Sequence, residues 1–446
     1  LLVQKGVLRE SDLGALADAR QANPDRPLPA LLLEKNLVRE EDLLPALAEE
    51  NSAAFKLRVI PEIHDDNPNS PFALAVPLTN LAHDRARTEL EMRTAWHGFN
   101  LVATARSSAR AEAKPDNELL INELYVEPTL FGERFSLGKK ILSWDVGFGF
   151  RPLDAIQREN RRSIFAGTLE GVPYLAWEKF TADEAWMLVL ANPGRGLAGM
   201  ANNAKNDEAL ALKYFRRLDN TDAHALLRVS QRNRLEAGAS FSSVVGEGLE
   251  WHASLLQQSR YEKTGNTLIG RPGLPLSTTD PFVTQTYRQG RKALIGATWT
   301  DESGISLLVE AWYDRSAYSA DEWRAAAALA RRQAALLGLS GMLGIPESAV
   351  RGSLAYGTRA FEQANLLKKN LLLRLSHRSE GESFEPAIDM LTTPEDGGRV
   401  VTASLGYEAD RYRIDGGLRV YGGRADSAYR LLPEKRVAYL ALQIAF

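Results

Sequence analysis

From about residue 80 onward the chain alternates between polar and apolar side chains, one residue at a time. Arg87, Glu89, Glu91 and Arg93 share one parity, while Thr88, Leu90, Met92 and Trp96 fall on the other side of the zigzag. Arg411, Arg413, Asp415 and Arg419 alternate in the same way with Tyr412, Ile414, Leu418 and Val420. Leu249, Trp251, Ala253 and Leu255 stand against Glu250, His252 and Ser254, and Ile305, Leu307, Val309 and Tyr313 stand against Ser306, Glu310 and Asp314. Val401, Ala403, Leu405 and Tyr407 oppose Thr402, Ser404 and Glu408. A period of two is the mark of a strand with one face in each of two environments. The cleanest instance is the last, Arg436 to Phe446, where Leu440, Leu442, Ile444 and Phe446 form one face and Tyr439, Ala441, Gln443 and Ala445 the other. About sixteen such segments are expected, between fourteen and eighteen.

Two architectures satisfy this pattern. A soluble sandwich would press the apolar faces against a second sheet, whereas a membrane barrel would turn them to lipid and keep the charged faces in the lumen. Aromatic residues favour the barrel. Trp96, Phe99, Tyr125, Phe135, Trp144, Phe148, Phe150, Tyr174, Trp177, Trp186, Tyr313, Tyr407, Tyr412 and Phe446 fall mostly near strand ends, as two interfacial girdles would require. The expected fold is therefore all-β, a transmembrane antiparallel barrel over residues 80–446.

Two regions break the alternation. Residues 1–51 carry an internal repeat, Val3 to Leu13 matching Leu33 to Leu43, each copy reading as helix, tight turn, helix. Gly6 and Asn36 suit left-handed helix ends, and Glu10 and Glu40 suit the starts of the helices that follow. A small helical module is expected there. Residues 52–79, with His64-Asp-Asp-Asn-Pro-Asn-Ser-Pro71, read as a linker. Further on, Ser319-Ala-Asp-Glu322 is a capping box opening an Ala-rich helix to about Leu337, with Trp323 as its expected anchor.

Composition narrows the function more than the fold. The chain has 446 residues, no cysteine and a net charge of −3, so thiolate metal sites are excluded and bulk charge gives no case for nucleic acid. About 40 of the 54 basic residues are Arg, whose planar fork suits a fixed lattice with carboxylates or a path for anions. Six His, at 64, 83, 97, 224, 252 and 377, show no metal-ligand spacing, and no nucleophile elbow accompanies them. His252 and His224 are the residues on which any catalytic reading would rest. The expectation is no catalytic residue, no metal and no cofactor. Gly138, Gly147 and Gly149 are spaced for strand bends or close backbone approach. Gly194, Gly196 and Gly199 match a bare G-x-G-x-x-G, but lack the strand-to-helix context of a dinucleotide site.

The ending on Phe446, with Leu440, Leu442 and Ile444 before it, resembles the carboxyl-terminal assembly signal of Gram-negative outer-membrane β-barrels. Leu137 to Arg162, with its glycines and basic residues, is similar to the strand-and-loop pattern of large porin-type proteins, including the alginate-export group. These resemblances imply a location in the outer membrane of a Gram-negative bacterium, and contact with its lipid and with the barrel-assembly machinery. They also imply a channel or porin passing small or anionic solutes. The lumen would be lined by Arg87, Glu89, Glu91, Arg93, Arg228, Glu250, Glu310, Arg374, Arg413, Asp415 and Arg419, the acids fixing the Arg side chains so that anions are mildly preferred. Arg158, Arg161 and Arg162 would form a constriction loop. Residues 1–51 resemble the amino-terminal helical domain of type II secretion and type IV pilus assembly ATPases. The Gly that nucleotide-binding relatives carry is missing before the second copy, so nucleotide binding is not carried over. That resemblance implies a periplasmic protein partner. It also keeps open an alternative, a closed barrel that anchors a surface or secretion assembly.

Overall fold

The computed structural model of the chain describes residues 51–79, 81–110, 114–156, 169–192, 207–378 and 381–446. The helical-repeat region 1–50, residues Arg158, Arg161 and Arg162, and the glycines at 194, 196 and 199 lie outside them. The strands of the first half are β1 (Asn51–Asp66), β2 (Arg85–Trp96), β3 (Phe99–Arg110), β4 (Asp116–Val126), the two-residue β5 (Thr129–Leu130), β6 (Glu133–Lys140), β7 (Val172–Phe180), β8 (Glu184–Ala191), β9 (Ala209–Leu218) and β10 (Thr221–Ser230). The second half adds β11 (Arg234–Val245), β12 (Leu249–Asn266), β13 (Phe282–Thr300), β14 (Ile305–Asp314), β15 (Lys369–His377), β16 (Phe384–Thr393), β17 (Gly398–Glu408), β18 (Tyr412–Gly422) and β19 (Glu434–Ala445).

Apart from the short β5, each strand pairs antiparallel with the strands before and after it, and β1 pairs with both β2 and β19, so the sheet closes on itself. Because β4 pairs directly with β6 and β5 only edges β6, the closed ring has eighteen strands rather than the expected sixteen. One strand hidden from the sequence reading is β1, which occupies most of the supposed 52–79 linker. Its Pro61 and acidic end gave it a linker composition. The β1–β19 register lapses at Ile60 and Pro61, where proline offers no N–H, while β1–β2 continues through Pro61↔Ala86. Residues Pro71–Leu78 form a 3-10 helix with Phe72 and Ala75 buried. Among the described residues the barrel thus begins at Asn51, not at residue 80.

Strand direction sorts the connections. The turns at 97–98, 219–220, 301–304 and 409–411 are short, and Asn51 and Phe446 lie at that same end. The long connections, 67–84, 141–171, 192–208, 267–281, 315–368 and 423–433, all leave from the opposite end.

Register then fixes the faces. Leu175, Leu188, Leu227, Leu255, Ile295, Leu375, Leu405 and Leu440, from eight different strands, point outward and are each 40% to 58% exposed. In β19, Leu440, Leu442 and Phe446 are exposed while Val437 and Ala441 are buried, as the alternation predicted. Among the described residues, most exposed outward rings gather in one girdle, with Tyr287 set apart toward the long-loop end of β13. Trp96, Phe99, Phe180, Trp186, Phe241, Trp251, Trp299, Phe384, Tyr412 and Phe446 gather toward the short-turn end. Trp144, Phe148 and Phe150 belong to the 141–171 connection, and Tyr174 points inward and is buried.

A cap with its own core covers part of the long-loop end. Helices α1 (Ala320–Leu337), α2 (Ser340–Leu343) and α3 (Glu347–Gly357) make up most of it. The capping box forms as expected: Ser319 Oγ accepts from the Glu322 amide at 3.3 Å, and Glu322 accepts from the Ser319 amide at 2.7 Å. Trp323 is fully buried among Phe72, Tyr318, Ala327, Phe361, Ala428 and Tyr429, and its Nε1 donates to the Asp426 carbonyl at 2.9 Å. The cap therefore ties together three connections that are far apart in sequence.

Candidate functional site: the lumen and its inward loop

The inward faces of the strands are of two kinds, and this divides the lumen lengthwise. On β7–β9 they are mostly apolar, with Tyr174, Ala176, Val189, Ala191 and Ala211 buried, and Leu226 of β10 and Leu256 of β12 join the same cluster beside buried polar groups such as Arg228, Glu236, Ser254 and Gln258. The connection after β6 folds inward against them, contributing Leu142, Trp144, Leu153 and Ala155 to the same cluster. On β13–β15, Leu294, Leu308, Trp312 and Leu372 form a second apolar patch, on which Phe150 packs, its ring stacked on Trp312 at 6.0 Å. One side of the barrel is thus filled by its own loop.

Two aspartates hold that loop together. Asp154 accepts from the Trp144 amide at 2.6 Å and from Ser143 Oγ at 2.9 Å. Asp145 accepts from the Leu153 amide at 2.6 Å and from Ser254 Oγ on β12. Burial pushes both carboxyls above their ordinary value of 3.8, against the opposing pull of these donors. The loop tip is fixed from the wall: one oxygen of Glu310 accepts from the Phe148 amide and the other from the Gly149 amide, both at 2.6 Å. Glu310 is fully buried and also meets His252 Nε2 at 2.9 Å. At Gly149 a Cβ would lie 2.8 Å from Leu372 and 3.1 Å from Trp312, so only glycine lets the backbone run flush with the wall.

The opposite wall, β15–β19 and β1–β2, carries the charges. Glu89 lies 3.3 Å from Arg58 and 3.5 Å from Arg87, and Glu91 is 2.7 Å from Arg93 and 3.3 Å from Lys56. Arg85 reaches Glu62 at 2.5 Å, and His64 bridges Glu62 at 3.3 Å and Glu434 at 2.8 Å. Farther round, Arg374 meets Asp389 at 3.0 Å and Glu385 at 3.6 Å, and Arg413 meets Asp415 at 2.9 Å and Glu385 and Glu408 at 3.2 Å. Arg419 Nε donates to Thr402 Oγ1 at 2.9 Å. A cavity of about 940 Å³ runs along this wall, from His64, Arg85 and Glu434 at the long-loop end to Asp389, Arg374 and Arg419. A smaller cavity of about 270 Å³ at the short-turn end is lined by Glu250, His252, Thr298, Ser306 and Ser376.

The sequence-predicted residues therefore separate. Arg87, Glu89, Glu91, Arg93, Arg374, Arg413, Asp415 and Arg419 come together on the charged wall, a lattice in which Arg and carboxylate interleave. Arg228 does not join them. It is buried at the far side, paired with Glu236 and, at 2.7 Å, with Asp207, where Asn233 and Gln258 also bond Glu236. Glu310 was expected to fix arginines and instead holds backbone amides. Glu250 accepts from Ser242 Oγ at 2.7 Å and stands 3.9 Å from His252. His224 packs its ring on Phe215 at 5.0 Å. Sequence reading missed Asp145, Asp154 and Phe148 as parts of the site. The one available signal was Trp144-Asp-Val-Gly-Phe-Gly-Phe150, whose glycines marked close approach but not its target.

No family model matches the chain, and no curated protein matches it in sequence. Solved structures do match its fold. The crystal structure of Acinetobacter baumannii OccAB3 has a TM-score of 0.50 at 7% identity, covering 89% of this chain and 99% of that one. The crystal structure of Acinetobacter baumannii OccAB1 has a TM-score of 0.50 at 8% identity, covering 89% and 97%. At this identity the likeness is one of fold, a large closed antiparallel β-barrel.

Proposed function

We propose that the chain is an outer-membrane channel that passes small solutes, with a mild preference for anions, through the Arg-bearing side of its lumen. The observation that carries this reading is the pairing of two faces in one closed ring: an apolar belt outside and, inside, a cavity of about 940 Å³ whose lining sets Arg85, Arg374, Asp389, Arg419 and Glu434 among apolar side chains. A soluble protein rarely exposes apolar patches beyond a few hundred Å², whereas acyl chains would cover such a belt. Closed rings of sixteen to eighteen strands are wide enough for an aqueous passage. Long loops at one end, with short turns and both ends of the barrel at the other, fit bacterial outer-membrane barrels, which have short periplasmic turns. Asn51 then lies on the periplasmic side, where a docking partner for residues 1–51 would be met. Phe446 suits recognition by the barrel-assembly machinery.

The preference is mild because nearly every wall Arg has a carboxylate within about 4 Å, which cancels most of its far field while leaving guanidinium donors directed at the passage. The test is reconstitution in planar bilayers. Discrete conductance steps with anions somewhat more permeant than cations support the proposal. Absence of steps, or strong cation selectivity, overturns it.

A further inference from the structure

We propose that Phe148 and Arg374 form the narrowest passage between the two lumen chambers that the described residues build, and that Glu310 is the residue that positions it; this rests on the channel reading above. The large cavity on the long-loop side and the small one on the short-turn side share two lining residues, Phe148 and Arg374. The Arg374 guanidinium carbon stands 5.8 Å from the centroid of the Phe148 ring, within reach of a cation–π contact. A solute moving directly from one chamber to the other passes between a ring and a guanidinium.

Both partners are held from behind. Asp389 binds Arg374 Nη1 through both oxygens, at 3.0 and 3.2 Å, with Glu385 at 3.6 Å. Phe148 itself is 47% exposed, but its backbone is not free to move, because Glu310 clamps its amide and the next. A buried carboxylate spent on two main-chain donors, with a histidine as its further neighbour, does nothing for an anion path. It makes sense as the anchor of a loop tip. Arg374 then sets which charge passes, Phe148 sets how much room it has, and Glu310 acts through Phe148.

The chain has no cysteine, which makes the test direct. Single-channel currents are recorded for the parent chain and for Phe148→Cys and Ser303→Cys, before and after a bulky charged methanethiosulfonate. Modification at 148 is expected to lower unitary conductance at least about two-fold, and modification at 303, in an exposed short turn that lines neither chamber, by less than about a fifth, since resistance concentrates at a constriction. Phe148→Ala should raise conductance with the reversal potential unmoved, while Arg374→Gln should shift the reversal potential toward cations. Glu310→Gln keeps the side chain's size but only one carbonyl acceptor, and should produce flicker between two current levels. Added to Phe148→Ala it should change nothing further, because an anchor without its ring has no effect on flow. Heat-modifiable gel mobility shows that each variant is a folded barrel, and Phe148→Cys decides the constriction even if Glu310→Gln fails to assemble. A conducting parent whose current ignores modification at 148 refutes the constriction alone. Independent effects of Glu310→Gln and Phe148→Ala refute the positioning role. A parent without steps removes the channel reading, and this inference with it.

Discussion

Ile295 offers a decisive perturbation of the outer belt. It lies near the middle of the barrel's height on β13, points outward at 58% exposure, and is flanked in register by Ala253 and Ala311, which leave an arginine nowhere to hide its charge. Replacing it with Arg forfeits apolar transfer, about half of the roughly 1.5–3 kcal/mol that complete burial of such a side chain is worth. It also places a guanidinium among acyl chains, and the combined cost at the mid-depth of a membrane barrel is about 2–4 kcal/mol. That is a shift of about 30- to 1,000-fold in the folding equilibrium. The same change at Leu218, which borders a short turn and is 49% exposed, should cost only about 0–1 kcal/mol because the interface is near. Urea unfolding of the protein in lipid vesicles, followed by tryptophan fluorescence, measures both. If Ile295→Arg lies within about 0.5 kcal/mol of the parent, as an ordinary surface substitution in water would, the outer face does not touch hydrocarbon and the reasoning fails.

Phe446→Ala removes the ring stacked on Phe55 at 5.9 Å, where the two residues also exchange backbone hydrogen bonds of 2.8 and 2.9 Å across the closing seam. At about 0.5–1.5 kcal/mol for such a pair, the heat-modifiable fraction should fall about two- to twelve-fold at limiting assembly rates, and an unchanged fraction would refute the seam role. Trp323→Ala should cost the cap about 3–5 kcal/mol, read as rapid proteolysis within 319–366 while the barrel still shows its heat-modifiable shift; equal protection would count against a separately cored cap. Arg419→Gln should reduce the anion preference in bilayers without blocking current, and an unaltered reversal potential would remove it from the path. Asp145 and Asp154 have carboxyls raised by burial, so the folded loop holds protons that the released loop gives up. Their contribution to loop stability is full below about 3.8 and is lost as pH rises through the raised values. Amide protection over 142–155, corrected for intrinsic rates, should therefore increase on acidification from neutrality, and a decrease would reverse the sign of the argument.

The residues by themselves determined the two faces. A period of two obliges alternate side chains into opposite environments whatever the strand's partners, so Leu440, Leu442 and Phe446 were bound to share a surface, as were Arg87, Glu89 and Glu91. The Ser319–Glu322 box likewise marked its helix, because a cap is satisfied within one turn. What alternation could not supply is position around the ring. Neighbours across the seam, such as Val59 and Leu442, are joined by closure alone, and β1 was concealed because proline and paired acids look like linker until β2 and β19 are beside them. The same limit explains Glu310. Its parity sent it inward, but whether an inward carboxylate meets an arginine or a loop's amides depends on a segment some 160 residues away, brought there by packing of Trp144, Leu153 and Phe150 on walls the chain builds later. Local pattern chooses between inside and outside. Only long-range closure decides which inward groups meet, because that choice is made by burial and hydrogen-bond satisfaction across the lumen, which no short stretch of sequence contains.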